Sequence, residues 1–347
     1  MPRFSRTSRV ITTAAALLLG AWGQARAQAV SAAGNPLSQR HGNGQIWRFT
    51  GTPCSGASCP GWQMLDNNPK TTGTASGAGR IYQIHDDGRI WRWTGTFCSG
   101  NSCPGWQMID NNPGSRAIAA TGQGFLFQQH GDGTLWRFTL TPCSGNSCPG
   151  WQMIDNNSAT SQIAAGNTDL YQIHDGGKIW RFTGAACSGG GCPGWQMLDD
   201  NGESARIAAG GGRLYQVHQD SKIWRYTGTP CSGASCPGWQ MLDNNPATRS
   251  IAANSDGTLY QLHSDGKIWR STGVPCSGGG CPGWQLIDNN PATRSIMAGG
   301  GRLYQLHSDG KMWQYTGTPC SGGSCPGWQM IDNNAATAAL TSGTARK

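Results

Sequence analysis

The chain has seven histidines, His41, His85, His130, His174, His218, His263 and His307, spaced 44 or 45 residues apart. Each follows a glutamine by two positions: Gln39, Gln83, Gln128, Gln172, Gln216, Gln261 and Gln305. An arginine after a tryptophan keeps the same beat at Arg48, Arg92, Arg137, Arg181, Arg225 and Arg270, with Gln314 in the last copy. So does an aspartate, Asp66, Asp110, Asp155, Asp199, Asp243, Asp288 and Asp332, followed in most copies by asparagine. Imidazole, amide, guanidinium and carboxylate groups repeated in register can do two kinds of work. They can hydrogen-bond to one another, because buried polar groups need partners and a repeated fold repeats its pairings. Alternatively, they can line repeated clefts and bind sugar hydroxyls while a nearby Trp or Tyr stacks on the sugar ring. The first reading is preferred for His and Gln. Both stay open for Arg and the Asp-Asn pair, whose triplet Asp-Asn-Asn is also good turn sequence. The candidate ligand-binding set is therefore Arg48, Arg92, Arg137, Arg181, Arg225 and Arg270; His85, His174, His218, His263 and His307; and Asn111, Asn156, Asn244, Asn289 and Asn333.

Catalysis is not expected. An active site needs one constellation with groups in different roles, and here every candidate recurs in register. Calcium at the His85–Gly88 turn is argued against by the other copies, where Gly42, Asn43 and Gln219 stand in place of carboxylates. No metal or cofactor is implied.

All fourteen cysteines sit in the phrase Cys-Ser-Gly-x-x-Cys-Pro-Gly-Trp, two per copy. Zinc would need four ligands, and no second Cys pair or His lies nearby in the copy. Local disulfides follow: Cys54 with Cys59, Cys98 with Cys103, Cys143 with Cys148, Cys187 with Cys192, Cys231 with Cys236, Cys276 with Cys281 and Cys320 with Cys325. Closing so short a loop contributes roughly 2 kcal/mol in the chain-entropy model. Disulfides imply an oxidising compartment. Residues 1–29 agree: Arg3, Arg6 and Arg9 precede an apolar run, 10–22, and Ala25-Arg26-Ala27 closes it, the form of a secretory signal peptide. A secreted or periplasmic protein is expected, with residues 30–347 as one mature domain and no membrane insertion. Four of the 26 basic residues lie in that leader, leaving 22 against 18 acids. That balance, without a Lys/Arg cluster, argues against a nucleic-acid binder, and no nucleic-acid partner is expected.

The elements that must position these groups are short strands. In the copy at 214–253, Leu214–His218 and Ile223–Thr227 form a hairpin across a polar turn. Gly238–Leu242 is a third strand, ended by Asp-Asn-Asn-Pro, and Ser250–Ala253 is a fourth. Four strands per ~40–45 residues is a propeller blade, and copies begin near 37, 81, 126, 170, 214, 259 and 303. The sequence thus predicts an all-β, seven-bladed β-propeller of four-stranded antiparallel blades. Ile-Ala-Ala is placed innermost and Trp-Gln-Met-Leu outermost. The first copy lacks an inner strand, and the tail 335–342 aligns with that segment, Leu340 on Ile251, so the C-terminal strand should close the ring.

Strand alternation puts Gln172 with His174 and Tyr171 with Ile173. The expected hairpin has one mostly aromatic face and one carrying Gln, His and Arg. The His end and the Asp-Asn-Asn turn should share a rim, with the disulfide loops at the opposite rim. The CPGW tryptophans, Trp62 and its counterparts, are expected to pack beneath those loops.

The pattern LYQ-x-H-x-D-G-x-IW-x-Y-T-G, then W-Q-x-I/L-D, then IAA-GGG, resembles the tectonin-type propeller lectins from about Leu37 to Ser342. The Cys-Ser-Gly-x-x-Cys-Pro-Gly insertion departs from that family's pattern. The resemblance implies a ring-shaped propeller and glycan binding at repeated sites. A multivalent glycan-binding protein is therefore the first expectation, and a protein-binding or structural scaffold of the cell envelope the second.

Overall fold

The computed structural model describes residues 35–343, so the leader expected at 1–29 lies outside the described residues. Among them, 28 strands form seven four-stranded antiparallel sheets, and no helix is long and apolar enough to cross a membrane. Blades 2 to 7 each use four consecutive strands, within 71–110, 115–155, 160–199, 204–243, 248–288 and 293–332. Blade 1 takes its inner strand, Thr337–Gly343, from the C-terminal end and adds Asn35–His41, Ile46–Phe49 and Trp62–Asp66. In that closure Leu340 pairs with Gln39, as Ile251 pairs with Gln261 in blade 6. Exchange of one strand between the termini joins the ring.

Within blade 4 the order outward is Thr160–Ala165, Leu170–His174, Ile179–Phe182 and Trp195–Asp199. The register sets Gln172 opposite Trp180 and Tyr171 opposite Arg181. Directly opposed residues share a face, so Gln and His lie with the hairpin tryptophan, and Arg lies with Tyr and Ile. This corrects the expected grouping of Gln, His and Arg. Alternation fixes the faces along each strand, but the phase between strands depends on the hairpin turn, closed here by the His174 N–H donating to the Lys178 carbonyl at 3.0 Å.

The two faces of each blade pack against the neighbouring blades. Between blades 3 and 4, Ala119, Phe127, Leu135 and Ile154 meet Ile163, Ala165 and Leu170, and Phe182 and Trp195 close the cluster on its outer side. A fully buried Leu or Ile contributes about 1.5–3 kcal/mol, and because each core lies between blades, stability depends on every neighbour.

The disulfide loops correct a second expectation. The loop 183–194 leaves the rim opposite the histidines but folds across the outer edge of the preceding blade. There the Cys187 N–H donates to the Met153 carbonyl at 3.1 Å, and the same bond recurs at the first cysteine of every copy, at 3.0–3.4 Å. Gly194 enters the outer strand so close to this loop that a Cβ would lie 1.9 Å from the Ala185 carbonyl oxygen, so only glycine fits. All seven cysteine pairs are bonded within their own copy, as expected for an oxidising environment.

Candidate functional site

The Asp-Asn turn ends the outer strand of one blade and stands against the His end of the next hairpin. With the disulfide loop folded over the same edge, three elements frame a cleft at each junction. Between blades 4 and 5 the cleft is a cavity of about 400 Å³ lined by Asp199, Asn201, His218, Trp224, Pro237 and Trp239, among others. Its equivalent between blades 7 and 1, about 320 Å³, is lined by Asp332, Asn333, His41, Trp47, Pro60 and Trp62, among others.

Several polar groups of this region are engaged inside the ring. Gln172 donates to Asp155 Oδ2 of the preceding blade at 2.7 Å and accepts from Thr160 Oγ1 at 2.7 Å, and Gln216 makes the same two contacts to Asp199 and Ser204. The amides of Asn111, Asn156, Asn244, Asn289 and Asn333 donate to a carbonyl in the next blade's disulfide loop at 2.8–3.1 Å, as Asn67 does. In blade 4, Asp200 replaces this asparagine and pairs with Lys178 at 2.8 Å. Every CPGW indole N–H donates to a carbonyl of the preceding outer strand at 2.8–2.9 Å, which ties Trp62, Trp106, Trp151, Trp195, Trp239, Trp284 and Trp328 into the ring.

Histidine behaves differently. Each ring sits 5.5–5.8 Å from the hairpin indole six residues later, from Trp47 at His41 to Trp313 at His307. All seven Nε2 atoms are buried without a hydrogen-bond partner among the described residues. So are the indole Nε1 atoms of Trp47, Trp91, Trp180, Trp224, Trp269 and Trp313, whereas that of Trp136 reaches Thr134 Oγ1 at 3.2 Å. Burial pulls every histidine below its usual pKa of 6.5, against the opposing pull of nearby carboxylates, so the imidazoles are neutral at neutral pH. The two clefts above are therefore walled by a neutral imidazole, an indole, a carboxylate and half-buried aromatic surface, with the imidazole Nε2 and indole Nε1 atoms buried in the wall. Such a set can bind hydroxyl groups.

The arginines lie elsewhere, on the face turned toward the following blade. Arg92, Arg137, Arg181 and Arg225 donate to Gln107, Gln152, Gln196 and Gln240 of their own outer strands at 2.6–3.0 Å. Arg48 stacks over Trp93 of blade 2 at 5.4 Å, and Arg270 is exposed. The structure thus brings the candidate His and Asn residues to one rim and separates the arginines from them. The sequence reading missed the hairpin tryptophan as the partner of histidine. Its signal was the constant spacing of six residues from each His.

No family model and no curated protein matches the chain. Among solved structures, it is similar to yeast RCC1 (Prp20) in its complex with Kap60, at 14% identity and a TM-score of 0.56 over 96% of this chain and 92% of that one. It is also similar to YCF48 bound to D1 peptide, at 14% identity and a TM-score of 0.51 over 83% and 94% of the two chains. Human WBSCR16 aligns at 12% identity and a TM-score of 0.50 over 78% and 87%. At these identities the likeness is one of fold, a seven-bladed propeller, and the tectonin resemblance has no counterpart at family level.

Proposed function

We propose that the protein is a non-catalytic, multivalent binding propeller whose inter-blade clefts take neutral glycans. The carrying observation is the recurrence, at all seven junctions, of a buried imidazole Nε2 without a protein partner. A buried polar group without a partner costs about 1–3 kcal/mol, and seven in register are a pattern that packing alone does not require. A sugar hydroxyl that donates to or accepts from Nε2, beside an indole N–H and an aspartate, would satisfy that atom. The second reading, a scaffold without repeated ligands, is favoured by the engagement of the Gln, Asn and CPGW Trp side chains within the ring. A glycan-array screen of the oxidised, leader-free protein separates the two. Saturable binding that is lost when all seven histidines become phenylalanine supports the clefts. Silence across a broad array, or binding indifferent to those substitutions, gives the scaffold reading first place.

A further inference from the structure

The third strand of each blade ends in an aromatic ring at Phe49, Trp93, Phe138, Phe182, Tyr226 and Tyr315, but in Ser271 in blade 6. In five of those blades the ring lies 5.1–5.3 Å from the CPGW tryptophan of the same blade and helps to seal the junction with the preceding one. Between blades 5 and 6 the core is closed by Trp284 without that ring. A cavity of about 460 Å³ lies there, larger than either cleft described above, and Ser271 is part of its wall.

The wall is polar and cationic. Arg213 and Arg225 enter from blade 5, with Thr258 and Thr272 of blade 6 across from them; Arg270 and Gln285 border the cavity as well, but they lie on the face turned toward blade 7, where the Arg270 charge acts on Tyr260 and Tyr315. One carboxylate, Asp256, faces two guanidinium groups, and neither of the two is in an ion pair among the described residues. Arg225 is held by Gln240 at 2.6 Å, which fixes one fork in place. No other junction combines these features. The Arg213 position is Asp169 in blade 4 and Thr258 in blade 6, and where the two arginines do recur, at Arg80 and Arg92, Phe138 supplies the missing ring.

We propose that this junction binds a single acidic sugar residue, a hexuronate, with its carboxylate on Arg213 and Arg225 and its hydroxyls on Ser271, Thr258 and Thr272. Guanidinium forks match a carboxylate in geometry as well as charge. The volume falls within the range of about 300–1,000 Å³ typical of small-ligand sites. The proposal extends the glycan reading to a second ligand class, but it uses a different site, so the two can fail separately.

The test is calorimetry with a glucuronate-terminated disaccharide, its glucose-terminated counterpart and inorganic sulfate, on the wild type, Ser271→Phe and Arg225→Gln. One glucuronate site per chain is expected, weakened about tenfold or more by Arg225→Gln and abolished by Ser271→Phe. Ser271→Phe restores a ring of the kind the other blades carry, so its melting temperature should not fall. Unchanged glucuronate binding in Ser271→Phe, equal binding of the neutral disaccharide at this one site, displacement by sulfate at equal concentration, or no glucuronate binding would each overturn the proposal. Binding of neutral array ligands by Ser271→Phe reports on the seven clefts independently.

Discussion

At the residue scale, two neighbours in one strand differ in their partners. Gln216 joins the carboxylate of blade 4 to the inner strand of blade 5, so Gln216→Ala leaves Asp199 without its buried donor. A loss of about 1–3 kcal/mol is expected, read as a lower denaturant midpoint. His218, two residues on, has no such partner, and phenylalanine keeps the ring against Trp224 while removing Nε2. His218→Phe and its six counterparts should leave stability unchanged or raise it, and should weaken glycan binding. A fall in stability that matches the fall in binding would show that the histidines are structural. Acid gives a further check. The folded-state pKa of every histidine lies below the usual 6.5, so the unfolded chain binds protons first as pH falls. Their contribution is complete above about pH 6.5 and is lost as pH drops through the folded values. Asp66, Asp110 and Asp288, raised above 3.8 chiefly by burial, act with the opposite sign in a lower window, starting where they begin to take up protons. Melting temperature should therefore fall from pH 7 toward pH 5, and a flat profile over that range would contradict the burial described here.

At the element scale, the disulfide loop shields the outer edge of the blade before it. Replacing Cys187 and Cys192 together by serine should cost about 2 kcal/mol through the closed-loop term. It should also speed amide exchange in Trp151–Asp155, whose exposed edge the loop covers through Cys187, more than in the inner strand Thr160–Ala165. Equal exchange in both would mean that the loop stabilises only itself. The strands, their order and the closing tail were legible in the sequence, because 44- and 45-residue spacing and two-residue alternation are local signals. The phase across each hairpin was not, since it depends on the turn between His and Lys, and Arg181 was placed on the wrong face for that reason. Nor was the docking of the loops, which rests on one backbone bond to the previous blade and leaves no pattern in the residue types. The cleft was half legible: His and the Asp-Asn turn were placed at one rim, but the wall that Pro237 and Trp239 add came with the loop.

At the scale of the whole molecule, repetition does two things. Similar blades are needed to close a ring, because each buries its faces only against its neighbours. On the proposed reading, similar clefts around that ring would hold several weak sites at fixed spacing, which raises avidity for a surface displaying many copies of one ligand. The closing strand makes the ring one cooperative unit, so deletion from Thr337 onward should expose the edge of Asn35–His41 and broaden or abolish the melting transition; a sharp transition at the wild-type temperature would show that closure is dispensable. The central claim, that the junctions are binding sites, is tested most directly by the stoichiometry of a neutral array ligand in calorimetry with oxidised protein. Several equivalent sites per chain, approaching seven and lost with the histidine Nε2 atoms, is the expected result. A single site per chain, or binding that survives loss of every histidine, would contradict it.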